Sequence, residues 1–191
     1  LKFWFHLTKS EQEKRLRDLY ENPKEHWRAM GDDWKHHSLY ERFETAATEI
    51  MGKTHEDRCP WFFVPSADPL ERNLTFATLL SESLENVVRS KEGKKPAKVK
   101  LTPAYCPSPY RALAKVDLDQ RLPRDLYEEQ LVEAQSRLHR LFWLAYEKRI
   151  STSLVFEGWD AAGKGGAIRR ATAAIDPRLY RIVQVGPPTL E

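Results

Sequence analysis

From Leu126 to Arg149, apolar residues return every three or four positions, at Leu131, Ala134, Leu138, Leu141 and Ala145. That spacing puts them on one stripe of an α-helix, the clearest helix signal in the chain. Other helices announce themselves at their ends. Thr8-Lys9-Ser10-Glu11 has the form of a capping box and predicts a helix to about Tyr20. Asn22-Pro23 predicts a second helix through Met30, with proline where the first turn tolerates it. Gly31-Asp32-Asp33 is expected to break it. A third is predicted from Leu39 to Met51, with Tyr40, Phe43, Ala47 and Ile50 on one face. Asp68-Pro69-Leu70-Glu71 opens a long fourth helix ending near Val88.

The period-2 pattern marks strands. Leu1 to Leu7 alternates Lys2, Trp4 and His6 with apolar residues, and Trp61 to Val64 is a short apolar run between Pro60 and Pro65. Ser151 to Phe156 reads as a buried strand. A glycine-rich loop comes next, then a helix from about Gly165 to Ile175. After Asp176-Pro177 a further strand is predicted from Leu179 to Val185, with Ile182, Val183 and Val185. Strand, loop, helix and strand make a βαβ unit, so the expected fold class is α/β with a parallel sheet and right-handed crossovers. From Ser90 to Tyr110 the pattern lapses. Lys91, Lys94, Lys95, Lys98 and Lys100 sit with four prolines, the composition of a solvated tether.

Composition narrows the picture only a little. The chain has 191 residues, 41% apolar and 11% aromatic, ordinary values for a globular protein. Net charge is +3, so any attraction for polyanions must come from local clusters. Cys59 and Cys106 match no zinc or redox spacing, and two cysteines in this length suit a reducing compartment. No apolar run reaches the ~20 residues of a membrane span. The opening Leu1-Lys2-Phe3 has no features of a signal peptide. A cytoplasmic site is expected, with no membrane or nucleic-acid partner. Both ends are expected to cut through folded structure.

The chemistry sits after the strand at 151–156. Gly158-Trp159-Asp160-Ala161-Ala162-Gly163-Lys164 satisfies G-x-x-x-x-G-K, between a predicted strand and a predicted helix. Backbone N–H groups of Gly158, Ala161, Ala162, Gly163, Lys164, Gly165 and Gly166 are the expected phosphate cradle, backed by a helix dipole. Lys164 supplies a charge for the transferring group. Gly165 stands where such loops usually place the Ser or Thr that holds magnesium. Asp160 is therefore the candidate metal ligand or acceptor-orienting residue, with turn formation as the ordinary alternative. Arg169, beside Arg170, is a candidate phosphate contact, and Arg15 has a similar claim. His36 and His37 point about 100° apart on a helix and are not expected to share a metal. The tryptophans Trp4, Trp27, Trp34 and Trp61 are expected in the core.

Leu154 to Ile168, with the loop Asp and without the Ser or Thr, resembles the Walker A region of the polyphosphate kinase 2 family. Asp176-Pro177-Arg178 and Pro187-Pro188-Thr189 resemble that family's segments beyond the loop helix. The first half resembles the family's opposite end: Lys2 to Thr8, Glu11-Gln12-x-x-Arg15, Pro23-Lys24-x-x-Trp27-Arg28, and Pro60 to Asp68. That order implies a tandem protein, with 1–90 ending one copy, 91–110 a basic tether, and 111–191 beginning a second. Two incomplete halves of a P-loop sheet are thus expected. The resemblance implies phosphoryl transfer from inorganic polyphosphate to a nucleoside monophosphate, AMP to ADP, with magnesium or manganese. It implies catalytic roles for Asp160 and Lys164, and no turnover by residues 1–191 alone. An ATP-dependent small-molecule kinase and a non-catalytic polyanion-binding or oligomerisation module stay open, as does a homo-oligomer.

Overall fold

The computed structural model describes residues 1–23, 31–56, 59–94 and 113–186. The expected helix at 22–30, most of the tether, Cys106 and the Pro187-Pro188-Thr189 motif lie outside them or largely so. Three parallel strands form the sheet: β1 (Lys2–His6), β2 (Trp61–Pro65) and β3 (Val155–Gly158), in the order β2-β1-β3. Phe3 pairs with Phe62 on one side and Phe156 on the other. Among the described residues, α-helices surround it: α1 (Lys9–Glu21), α2 (Gly31–Ser38), α3 (Tyr40–Thr54), α4 (Pro69–Lys91), α5 (Arg124–Glu147) and α6 (Lys164–Thr172). The expected α/β class holds. The strand before the loop seats against the first strand of the chain, so the N- and C-terminal parts share one sheet.

β1 is central, and both its faces are covered, as the middle strand of a parallel sheet must be. On one face Phe3 and Phe5 meet Phe62, Phe76 of α4 and Phe156, with ring centroids 5.0–6.1 Å apart. The fully buried rings of Phe3, Phe5 and Phe76 contribute about 1.5–3 kcal/mol each. On the other face, Trp4 and His6 are buried with Trp159, over which Tyr40 of α3 stacks at 3.9 Å. The Tyr40 hydroxyl donates to Leu7 O at 2.8 Å. The alternation in β1 thus records two buried faces, one of them polar.

The helix ends obey the sequence signals. Thr8 and Glu11 form the reciprocal capping box on α1, and Asp68 Oδ1 accepts from the N–H groups of Leu70 and Glu71 at 2.9 and 2.7 Å. α5 lays Leu138, Leu141 and Ala145 on the core.

Four expectations need correction. Gly31, Asp32 and Asp33 form the first turn of α2 rather than a break, the two acids standing at the positive end of its dipole. α3 buries Tyr40, Thr48 and Met51, while Phe43 and Ile50 are 45% and 57% exposed. Those two lie roughly 90–110° round the helix from the mean direction of the buried three. β3 is a partly exposed edge strand beginning at Val155, because β1 covers only one of its edges. Leu179 to Val185 is no strand: a 3-10 turn at Pro177–Leu179 leads into extended chain with Ile182, Val183 and Val185 exposed. Among the described residues it has no ladder partner, and without one backbone groups turn to water.

Candidate active site

The loop between β3 and α6 has its shape imposed by close contacts. Gly158 has φ 135°, and a Cβ there would lie 2.3 Å from Phe5 O and 2.7 Å from Phe5 N. Only glycine lets the strand end this close to β1. Gly163, at φ 85°, caps α6, and a Cβ there would lie 1.9 Å from Arg72 Nη1. Ala161 also takes the left-handed conformation, φ 61°. This strain sits where a phosphate-binding turn stores it. No side chain caps α6 at Gly163, the kind of helix start that can receive an anion.

Trp159 anchors the loop from below. Its N–H bonds Phe5 O at 3.2 Å, its ring stacks on Tyr40, and its Nε1 donates to His6 Nδ1 at 3.3 Å. Trp4 Nε1 approaches the same nitrogen at 3.5 Å. His6 is only 4% exposed, and burial holds its pKa down to about 4. Sequence reasoning gave Trp159 no role; the signal that could have found it is an indole within a phosphate loop, directly after the first glycine.

Lys164 folds back on the loop, donating from Nζ to Gly158 O at 2.6 Å and Trp159 O at 2.9 Å. Burial lowers its pKa, against the fields of Asp160 and Glu157. Its charge is thereby held over the hollow of the loop, on carbonyls that a phosphate oxygen can replace.

Asp160 is partly exposed, and one carboxylate oxygen accepts from His36 Nδ1 at 2.8 Å. His36 is carried there by α2, while His37 turns to Gln12 at 2.9 Å, so the two histidines diverge as their spacing requires. Among the described residues no three His, Cys, Asp or Glu side chains gather around a common point. The donor set at the loop is one carboxylate. That fits magnesium held jointly by substrate phosphate, water and Asp160, and not a metal caged by protein alone.

The remaining candidates divide. Gly165 and Gly166 lie in the first turn of α6, where phosphate contacts are expected. Arg169 is exposed on the next turn, while Arg170 returns from Nη1 to Gly166 O at 3.1 Å. Arg15 reaches the loop, donating to Ala161 O at 2.9 Å. Arg72 does too, through Ala162 O at 3.3 Å, and nothing local in the sequence marks it. Arg178 pairs with Asp176 instead, which holds that carboxyl down to about 2. No helix among the described residues is long and apolar enough to cross a membrane.

Comparison with known proteins gives the loop its context. The polyphosphate kinase 2 family model matches residues 1–92 and 121–191. The polyphosphate:AMP phosphotransferase of Pseudomonas aeruginosa is 40% identical over 191 residues, 100% of this chain and 38% of that protein. The protein of the same name from Pseudomonas syringae pv. tomato is 35% identical over 189 residues, 98% of this chain and 38% of its own. ADP-polyphosphate phosphotransferase 1 of Rhizobium meliloti is 47% identical over 72 residues, 37% of this chain and 23% of that protein. No solved structure matches. This chain spans less than two-fifths of the length of the two Pseudomonas relatives. A glycine loop carrying Asp160 and Lys164, in a chain matched on both of its parts, places it by descent: the chain belongs to the polyphosphate kinase 2 family.

Proposed function

We propose that the protein carrying this chain transfers the terminal phosphoryl group of inorganic polyphosphate to AMP, giving ADP and a polymer one unit shorter. The observation that carries the reading is the loop itself: Lys164 held over a turn shaped by Gly158 and Gly163, at the uncapped start of α6. A phosphate oxygen of AMP would attack the terminal phosphorus while the bridging P–O bond breaks toward the shortened polymer. Lys164 and the first-turn N–H groups would hold the transferred group and bear its equatorial charge. Burial of Lys164 strengthens that field, since water competes for it less. Asp160 would hold magnesium together with substrate phosphate; the bound ion would neutralise oxygens that otherwise repel the acceptor. His36 must then share or release the Asp160 oxygen it now occupies.

The family model matches in two segments, which supports reading 1–90 as the end of one copy, 91–110 as a tether and 111–191 as the start of the next. On that reading the pairing of β3 with β1 would join the two copies in one sheet. A nucleotide acceptor and few cysteines favour the cytoplasm.

The test is ADP formation from AMP by the full-length protein with polyphosphate as sole donor. Lys164→Ala should lose about 10²–10³ in rate, roughly 3–4 kcal/mol of transition-state stabilisation. Asp160→Asn keeps shape and turn hydrogen bonds but loses charge, so it should fold and require much more magnesium for its residual rate. Near-wild-type rates in Asp160→Asn at modest magnesium would leave Asp160 a turn former. Turnover only with ATP as donor would replace the whole reading with that of an ordinary small-molecule kinase.

A further inference from the structure

Two guanidinium groups end on the phosphate loop, and the reaction as proposed makes no use of either. Arg15 of α1 donates from Nη1 to Ala161 O at 2.9 Å, and from Nη2 to Ala67 O at 2.8 Å and to Ser66 O. Arg72 of α4 donates from Nη1 to Ala162 O at 3.3 Å, and from Nε and Nη2 to Asn73 Oδ1 at 3.2 and 3.1 Å. Its guanidinium also lies against Gly163 and Gly166, at the start of α6.

Arg72 is 6% exposed. Neither arginine bonds a carboxylate among the described residues; every partner is a backbone carbonyl or the Asn73 amide. A buried cation without an anion is costly, and arginine has no ready escape through deprotonation. Burial, with repulsion from Arg15 and Arg170, lowers the Arg72 pKa to about 10, which still leaves it charged at neutral pH. The Asp68 carboxylate attracts both guanidinium groups and Glu11 attracts Arg15, but neither bonds them, so the fold keeps incompletely balanced positive charge under a loop shaped for an anion.

The geometry also has a steering consequence. In a planar trans peptide the C=O and the next N–H point opposite ways. Drawing Ala162 O toward Arg72 turns the Gly163 N–H away from it, at the N-cap of α6. Both arginines come from the part of the chain before the tether, and the loop they hold comes after it. On the tandem reading, the earlier copy thus equips the loop of the later one.

We propose that Arg72, seconded by Arg15, is a positioning residue of the loop and makes it selective for polyphosphate over the less charged AMP. The clamp fixes the loop's peptides in their binding orientation, and several linked phosphates would balance the charge that Asp68 and Glu11 balance only in part. This rests on the loop being the polyphosphate site, so Lys164→Ala is measured alongside.

In the full-length protein, tripolyphosphate binding by calorimetry and steady-state kinetics would be compared for wild type, Arg72→Met, Arg72→Lys, Arg15→Met and Lys164→Ala. Arg72→Met should raise the KM for polyphosphate and the Kd for tripolyphosphate about tenfold, the scale of one charged hydrogen bond. The KM for AMP should stay within about twofold, as expected when only polyanion contacts are lost. Arg72→Lys should recover part of the loss, restoring charge without the fork. The salt dependence of tripolyphosphate binding should be shallower in Arg72→Met, because a charge is gone. Unchanged polyphosphate constants in Arg72→Met, while Lys164→Ala loses binding, would overturn the clamp and leave the loop reading intact. Equal losses for AMP and polyphosphate would also overturn it, since general loosening does that. Unchanged binding in both variants would overturn the loop reading and the clamp with it. Should Arg72→Met fail to fold, the half-buried Arg15 decides: a rise in polyphosphate KM in Arg15→Met supports the clamp, and none refutes it.

Discussion

Acidifying the protein from pH 7 to pH 5 should weaken the fold through one imidazole. His6 Nδ1 faces two indole donors, Trp159 Nε1 at 3.3 Å and Trp4 Nε1 at 3.5 Å. It can accept only while it carries no proton. Burial holds its folded pKa at about 4, against 6.5 in the unfolded chain. Between those values the unfolded state binds more protons, so stability falls as pH falls, beginning near 6.5 and levelling below 4. Linkage over that window gives a loss of about 2 kcal/mol by pH 5 and about 3 kcal/mol by pH 4. The assay is urea denaturation at pH 7, 6 and 5, above the range where carboxylates dominate. The control is His6→Asn, whose amide oxygen replaces Nδ1 as an acceptor and does not titrate. The difference in stability between the two proteins should narrow by about 2 kcal/mol from pH 7 to pH 5. Parallel pH profiles would refute the reasoning, because they would mean that His6 titrates alike folded and unfolded.

Three further outcomes are expected from the loop and the caps. Gly158→Ala should destabilise by about 3–5 kcal/mol, adding left-handed strain to a collision with Phe5 backbone that cannot yield; thermal melts measure it. Gly163→Ala should cost less, about 1–3 kcal/mol, because the colliding atom ends a side chain, yet it should impair tripolyphosphate binding by displacing Arg72. Asp68→Ala should cost about 1–2 kcal/mol by removing the cap that receives two N–H bonds of α4, with the slope of the denaturation curve unchanged.

Local chemistry made a good part of this fold legible. Thr8-Lys9-Ser10-Glu11 and Asp68-Pro69 state their helix starts within four residues, and the stripe of α5 needs only its own periodicity. The loop was legible for the same reason: its glycines answer constraints that act within a single turn. What escaped was set by partners far along the chain. Leu179 to Val185 has the composition of a strand, but composition supplies no neighbouring edge. Phe43 and Ile50 have the spacing of core residues, but spacing does not say how α3 is rotated on the sheet. Arg72 and His36 lie 90 and 124 residues from their loop partners, and no local pattern marks either. Trp159 is hidden differently: its position belongs to the phosphate loop and to the core at once.

The seating of β3 against β1 has a consequence in time. Leu1 N donates to Ser153 O across 152 residues of sequence, and Val155 N returns a bond to Leu1 O. During synthesis at ~5–20 residues per second, β1 would wait roughly 8–30 s for the strand that covers its second edge. Until then β1 lacks the partner that β3 provides, and an unpaired strand edge is a template for pairing with other chains. Contacts of such separation also make folding slow. The loop cannot take shape before that late closure, since Gly158 and Trp159 rest on Phe5. Binding of a phosphate chain would therefore report that closure, and polyphosphate present at that moment would draw it forward by mass action.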